Sequence, residues 1–125
     1  MVTFDSFFQK QYDRRAYNCL HFFVEFWRDY LEIDLSFILP QENELAQGRE
    51  GIFELARLRL FRLISKPAGL CAVLMRNFAD RDLHIGTYLD GRVLHIDQGG
   101  VYYLPLEVAA IGFKSVSCYE YVDHH

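Results

Sequence analysis

Beyond Ser65-Lys66-Pro67-Ala68-Gly69 the chain changes period, and that change constrains the fold more than any other feature. Before it, apolar residues recur at helical intervals. After it, short strand-like runs follow one another at about residues 70–75, 84–89, 92–97, 101–104 and 113–121. The segments between them, Asn77 to Asp82, Asp90-Gly91, Asp97 to Gly100 and a stretch containing Pro105, are too short to carry crossover helices. The expectation is an α+β chain, with N-terminal helices packed on a mainly antiparallel sheet, and not a βαβ repeat.

The helical half is anchored by Cys19 to Tyr30, where Leu20, Phe23, Val24 and Trp27 fall on one stripe and Glu25, Arg28 and Asp29 reach solvent. Asn18 precedes the run and is the expected N-cap. Residues 4–17 suit a short helix or an ordered lead-in. Leu31 to Gln47 reads as a connection with a short helix, broken from the first helix by Pro40, and Ile52 to Ile64 reads as a second helix.

With 125 residues, 51% of them hydrophobic, one core is affordable, so residues 1–125 are expected to form one domain with a mobile tail at 122–125. No apolar stretch approaches the roughly 18 residues of a membrane span, and the opening Met1 to Asp5 has no signal-like pattern, which predicts synthesis in the cytoplasm. A net charge of -4 disfavours nucleic acid as a partner. Arg57, Arg59 and Arg62 alternate with Leu58, Leu60 and Phe61 and read as a helix flank.

Three cysteines, at 19, 71 and 118, cannot all pair with one another, and no C-x-x-C is present, so a disulfide scaffold is not expected. Cys71 lies in an apolar run and reads as core. Cys19 differs, because a thiol in the first turn of a capped helix faces unpaired amide donors and the positive end of the helix dipole, both of which favour a thiolate.

A second informative segment is Asp82 to Asp97. Asp90-Gly91 between alternating runs predicts a two-residue hairpin, which pairs Leu89 with Arg92 and sets His84 opposite Asp97 and His95 opposite Gly86. Ile85, Thr87, Leu89, Leu94 and Ile96 then share the buried face, and His84, Gly86, Tyr88, Val93, His95 and Asp97 the other. His84 and His95 become diagonal neighbours. The missing side chain at Gly86 invites another backbone, and the helix starting at Cys19 is the expected visitor.

Three readings of Cys19, His84, His95 and Asp97 stay open on the residues alone. In the first, Cys19 is a nucleophile, His84 its acid and base, and His95 or Asp97 the group that orients His84. In the second, all are structural. In the third they surround zinc, although Cys19 and His21 point to different sides of a helix and no compact ligand pair anchors an ion. His21 reads as a helix-flank residue, and His124-His125 as native or added.

Tyr17-Asn18-Cys19-Leu20-His21-Phe22, Leu83-His84-Ile85-Gly86-Thr87-Tyr88-Leu89 and Gly91-Arg92-Val93-Leu94-His95-Ile96 occur in an order that resembles the NlpC/p60 family of papain-like cysteine peptidases, in its short phage tail-associated form. The resemblance covers about residues 12–106. It implies an NlpC-type fold with Cys19 as nucleophile, His84 as general base and acid, and His95 as orienting residue. Tyr12, with Tyr17 as substitute, would assist the oxyanion site, and neither metal nor organic cofactor is required. The implied activity is amide hydrolysis in peptidoglycan stem peptides for local wall opening during genome delivery, with tail-tip or baseplate proteins as partners and the virion tail as location. A catalytically silent tail-assembly protein is the alternative. The family often has Asp before the cysteine where this chain has Asn18.

Overall fold

The computed structural model describes residues 2–13, 16–38, 60–77 and 83–122. The expected helix over 52–59, Pro40, the Gly48 to Gly51 break, Arg57, Arg59 and His124-His125 lie outside them. A 3-10 turn, Phe4–Gln9, leads into helix α1, Cys19–Asp29, and a second 3-10 turn spans Ser36–Ile38. Six strands follow: β1 Phe61–Ile64, β2 Cys71–Asn77, β3 Leu83–Leu89, β4 Arg92–Asp97, β5 Gly100–Pro105 and β6 Phe113–Tyr121. A single-turn helix, α2, Leu106–Ala109, joins β5 to β6. The sheet is antiparallel throughout, in the order β1-β6-β2-β3-β4-β5, so the chain is α+β as its periodicity predicts.

Two sequence expectations are corrected. Phe61 to Ile64 is the edge strand β1 and not the end of a helix, because it pairs with β6 from Phe61↔Tyr121 to Ile64↔Cys118 and Arg62 bonds Glu120 across the pair at 2.5 Å. Val122 is not part of a loose tail, since its N–H donates to the Leu60 carbonyl at 2.8 Å.

The hairpin forms as its turn residues require. Asp90 and Gly91 both take positive φ, 54° and 86°, the pair of left-handed residues that matches the twist of the flanking strands. Register runs from Leu89↔Arg92 to Thr87↔Leu94. The pleat then divides the side chains into two layers. Ala72, Leu74, Ile85, Leu94 and Ile96 join Phe7, Leu20, Phe23, Phe26 and Trp27 in the main core. Val73, Met75, Val93 and Cys118 face the other way and pack with Ala109 of α2.

Helix α1 covers the first layer because its apolar stripe is wide: Leu20, Phe22, Phe23, Val24, Phe26 and Trp27 are all buried. Each such side chain contributes roughly 1.5–3 kcal/mol when fully removed from water. Trp27 also carries a polar tip, and its indole Nε1–H donates to Thr87 Oγ1 at 2.8 Å in the interior. This bond pins the third turn of α1 to the centre of β3. Phe4 closes the side of the core, with its ring against Phe26, Tyr30 and Tyr103. Tyr103 in turn donates to the Leu89 carbonyl at 2.6 Å.

Thr87→Val keeps the shape of the site but leaves a buried indole N–H without an acceptor. The expected cost is about 1–3 kcal/mol in urea unfolding. Adding Trp27→Phe should cost less than the sum of the two single changes, because the donor is gone as well.

Candidate functional site

Asn18 caps α1 as expected, and the cap is reciprocal. Its Oδ1 accepts from the N–H of Leu20 at 3.0 Å and of His21 at 3.4 Å, while the Asn18 N–H donates to His21 Nδ1 at 3.2 Å. His21 therefore holds the place that Glu or Gln takes in an ordinary capping box. Sequence reasoning placed it on the flank; the signal was its position three residues after the cap. Its ring stacks on Tyr17, with centroids 6.4 Å apart, and burial holds its pKa below the usual histidine value.

Cys19 is the first residue of α1, half-buried and packed against the main core. Tyr12 and Tyr17 pack against the same core. The Tyr17 hydroxyl is buried and makes no hydrogen bond within the described residues. Burial first, and then the neighbouring Glu25, push its pKa up. Lys10 pairs with Glu25, Nζ to Oε1 at 2.6 Å.

The two hairpin histidines meet. His84 Nε2 and His95 Nδ1 are 2.7 Å apart, with the rings nearly perpendicular at 85°. Aromatic rings hold each in place: Phe113 stacks on His84 at 5.8 Å and Tyr102 on His95 at 5.7 Å. Tyr102 is legible in retrospect, because it pairs directly with His95 across β4 and β5. Phe113 comes from β6, across β2 from β3 and nearly thirty residues along the chain, and no local pattern points to it.

Asp97 has a different task from orienting an imidazole. Its Oδ1 accepts the Gly99 N–H at 2.7 Å and closes the β4–β5 turn. Its charge raises the His95 pKa, but desolvation outweighs it and the net direction is down. His84 is lowered further, from 6.5 to about 3, by burial and by the adjacent His95. Both imidazoles are thus neutral at neutral pH. One must donate and the other accept. If His84 Nε2–H donates to His95 Nδ1, the Nδ1 lone pair of His84 is left for a proton from a substrate or nucleophile.

The expected approach of α1 to the histidine face is overturned. The helix packs on the side of β3 and β4 that carries Ile85, Thr87, Leu94 and Ile96, whereas His84 and His95 share the side of Val73, Met75 and Val93. Gly86 admits no helix. A Cβ there would lie 2.9 Å from Val93 Cγ1 and 3.1 Å from His95 Cβ, so the glycine is needed for β4 itself to come close. The geometry joins His84 to His95, and Cys19 begins the layer on the other face. Among the described residues, no three His, Cys, Asp or Glu side chains are placed to hold a metal ion, and no helix is long and apolar enough to cross a membrane. Cys71 and Cys118 are buried thiols whose pKa values are raised, chiefly by desolvation.

No family model, curated protein or solved structure matches the chain.

The imidazole pair sets an acid limit on stability. In the unfolded chain both histidines titrate near 6.5, while in the fold they stay neutral to lower pH, His84 to about 3. The unfolded state therefore binds more protons below 6.5, and stability falls as pH drops through the window from 6.5 towards 3. Each such group contributes a slope of up to about 1.4 kcal/mol per pH unit. His84→Gln should flatten the urea-unfolding free energy between these limits, and an unchanged slope would show that the pair is not what titrates.

Proposed function

We propose that the chain is a thiol-dependent amidase of NlpC/p60 type, with Cys19 as nucleophile, His84 as general base and acid, and His95 as the residue that orients His84. The observation that carries this reading is the 2.7 Å bond between two neutral imidazoles, because a base held in one tautomer by a second neutral ring is what acyl transfer to a thiol requires.

Distances along the elements support a meeting of the two layers at one end of the sheet. Trp27 is fixed on Thr87, and eight helical residues, about 12 Å, separate Trp27 from Cys19. Three strand residues, about 10 Å, separate Thr87 from His84. In this reading α1 runs along β3, which would bring Cys19 level with the start of β3; because Cys19 packs with the layer opposite His84, its thiol would have to reach the imidazole around the strand end and not through the sheet.

The resting state in this reading is a thiol beside a neutral imidazole. Desolvation of His84 works against an imidazolium, so a standing thiolate–imidazolium pair is disfavoured. As Cys19 Sγ attacks the amide carbonyl, its proton passes to His84 Nδ1. His84 then delivers that proton to the departing amine, leaving a thioester. Water attacks the thioester carbonyl, gives a proton to His84, and the thiol is restored when the acid leaves. Asn18 Oδ1 accepts the Leu20 and His21 N–H groups, and in this reading the Cys19 N–H is the oxyanion donor. Tyr12 is the candidate second donor in this reading, with Tyr17 as the substitute.

The substrate class follows from the family resemblance: amide bonds of peptidoglycan stem peptides, opened locally by a phage tail component that docks on tail-tip or baseplate proteins. A silent assembly domain is the second reading. It is favoured by an open groove of about 750 Å³ lined by Leu63, Ile64, Pro67, Leu106, Val116 and Cys118, with Leu63 63% exposed.

Purified protein on defined stem peptides separates the two. Cys19→Ala should abolish cleavage, His84→Ala should lower kcat by about 10²–10⁴, and His95→Gln should lower kcat with KM little changed. Cleavage that survives Cys19→Ala removes the nucleophile assignment. Wild type inactive on every stem peptide, with a complex formed on tail proteins, favours the assembly reading.

A further inference from the structure

His21 lies within hydrogen-bond reach of both polar groups of the cap. Its Nδ1 is 3.2 Å from the Asn18 amide nitrogen and 3.1 Å from Asn18 Oδ1. A single ring nitrogen cannot serve both at once. Unprotonated, it accepts the Asn18 N–H. Protonated, it has no lone pair for that amide and can only donate to Oδ1, the atom that already receives the Leu20 and His21 N–H groups.

We propose that His21 is a positioning residue for Cys19, and that its Nε2–H tautomer is the state that locks the first turn of α1. This rests on Cys19 being the nucleophile named above, and goes beyond it by adding a proton-controlled hinge two residues away. Glu or Gln, the usual residues at this position, can accept the cap amide over the neutral pH range, whereas an imidazole does so only while neutral.

The surroundings agree with a neutral ring. Tyr17 covers one face of His21. Lys10 lies beyond that ring, 6.0 Å from its centroid, and is paired with Glu25 one helical turn further along. The positive end of α1 lies under His21 itself, which penalises an imidazolium. Glu25, the carboxylate on the same flank, already binds Lys10 and so offers little compensation for a second cation.

When the ring is protonated, the Asn18 N–H loses the His21 lone pair, and Oδ1 takes the imidazolium as a donor beside the Leu20 and His21 N–H groups. The cap loosens, and the amides that favour negative charge at Cys19 lose their fixed direction. Acid thus reaches the nucleophile through His21, separately from any titration of His84.

Amide exchange followed by NMR tests this without relying on hydrolysis. Phe22 N–H, bonded to the Asn18 carbonyl at 3.0 Å, is the internal reference. In wild type the protection of Asn18 N–H relative to Phe22 N–H should fall about tenfold between about pH 8 and about pH 5. His21→Gln should hold it constant over that range, and His21→Ala should have low protection at both ends. The ¹⁵N shift of His21 should show Nδ1 unprotonated at the upper pH. The rate of Cys19 alkylation in wild type, divided by that in His21→Gln, should fall several-fold over the same interval. A protonated Nδ1 at the upper pH, or pH-independent Asn18 protection in wild type, overturns the proposal. If exchange behaves as expected while stem peptides are not cleaved, the hinge stands and the amidase reading fails.

Discussion

The turn at Asp90-Gly91 sets the register on which the histidine pair depends. Two consecutive left-handed residues allow only one tight register, and in that register the pleat sends Ile85, Thr87, Leu94 and Ile96 to one layer and His84 and His95 to the other. A slip by one residue would put both imidazoles into the aromatic core beneath α1 and expel Ile85 and Leu94 from it. The register is therefore held from both sides. Trp27 and Thr87 secure it within the core, and the rings of Tyr102 and Phe113 secure it on the histidine face.

Much of this was legible because turns are local chemistry. Asp90-Gly91, Asn18 before an apolar stripe, and the alternation along β3 and β4 each act over a few residues, and each appears where the sequence places it. β1 was not legible, since Leu60, Phe61, Leu63 and Ile64 satisfy a helical stripe as well as a strand. The choice is made by β6, more than fifty residues away, through Arg62 and Glu120. Local propensity cannot see such a partner.

The error over which face α1 covers has a similar cause. Both faces of the sheet are apolar: Val73, Met75 and Val93 are as fully buried as Ile85, Leu94 and Ile96. Alternation identifies two faces but does not rank them when each carries large aliphatic groups. The deciding group is Trp27, whose indole N–H needs a buried acceptor, and the matching hydroxyl is Thr87 on the face away from the histidines. Gly86 misled for a related reason. Its missing Cβ does mark a close approach, but the visitor is the neighbouring strand.

Burial of two imidazoles in direct contact also decides what kind of chemistry the site can support. A proton on either ring would place a charge in a poorly hydrated setting and convert the bond at 2.7 Å into one whose direction is fixed by that charge. The fold avoids this by keeping both neutral, and Asp97, at the end of β4, uses its Oδ1 to accept the Gly99 N–H. A base of this kind binds a proton weakly at rest and holds it only while an adjacent negative charge is developing. Such a pair would transfer protons in step with attack and departure and would not store one beforehand. In the proposed amidase, that would place the burden of activating Cys19 on the first turn of α1, whose cap is closed by the His21 ring.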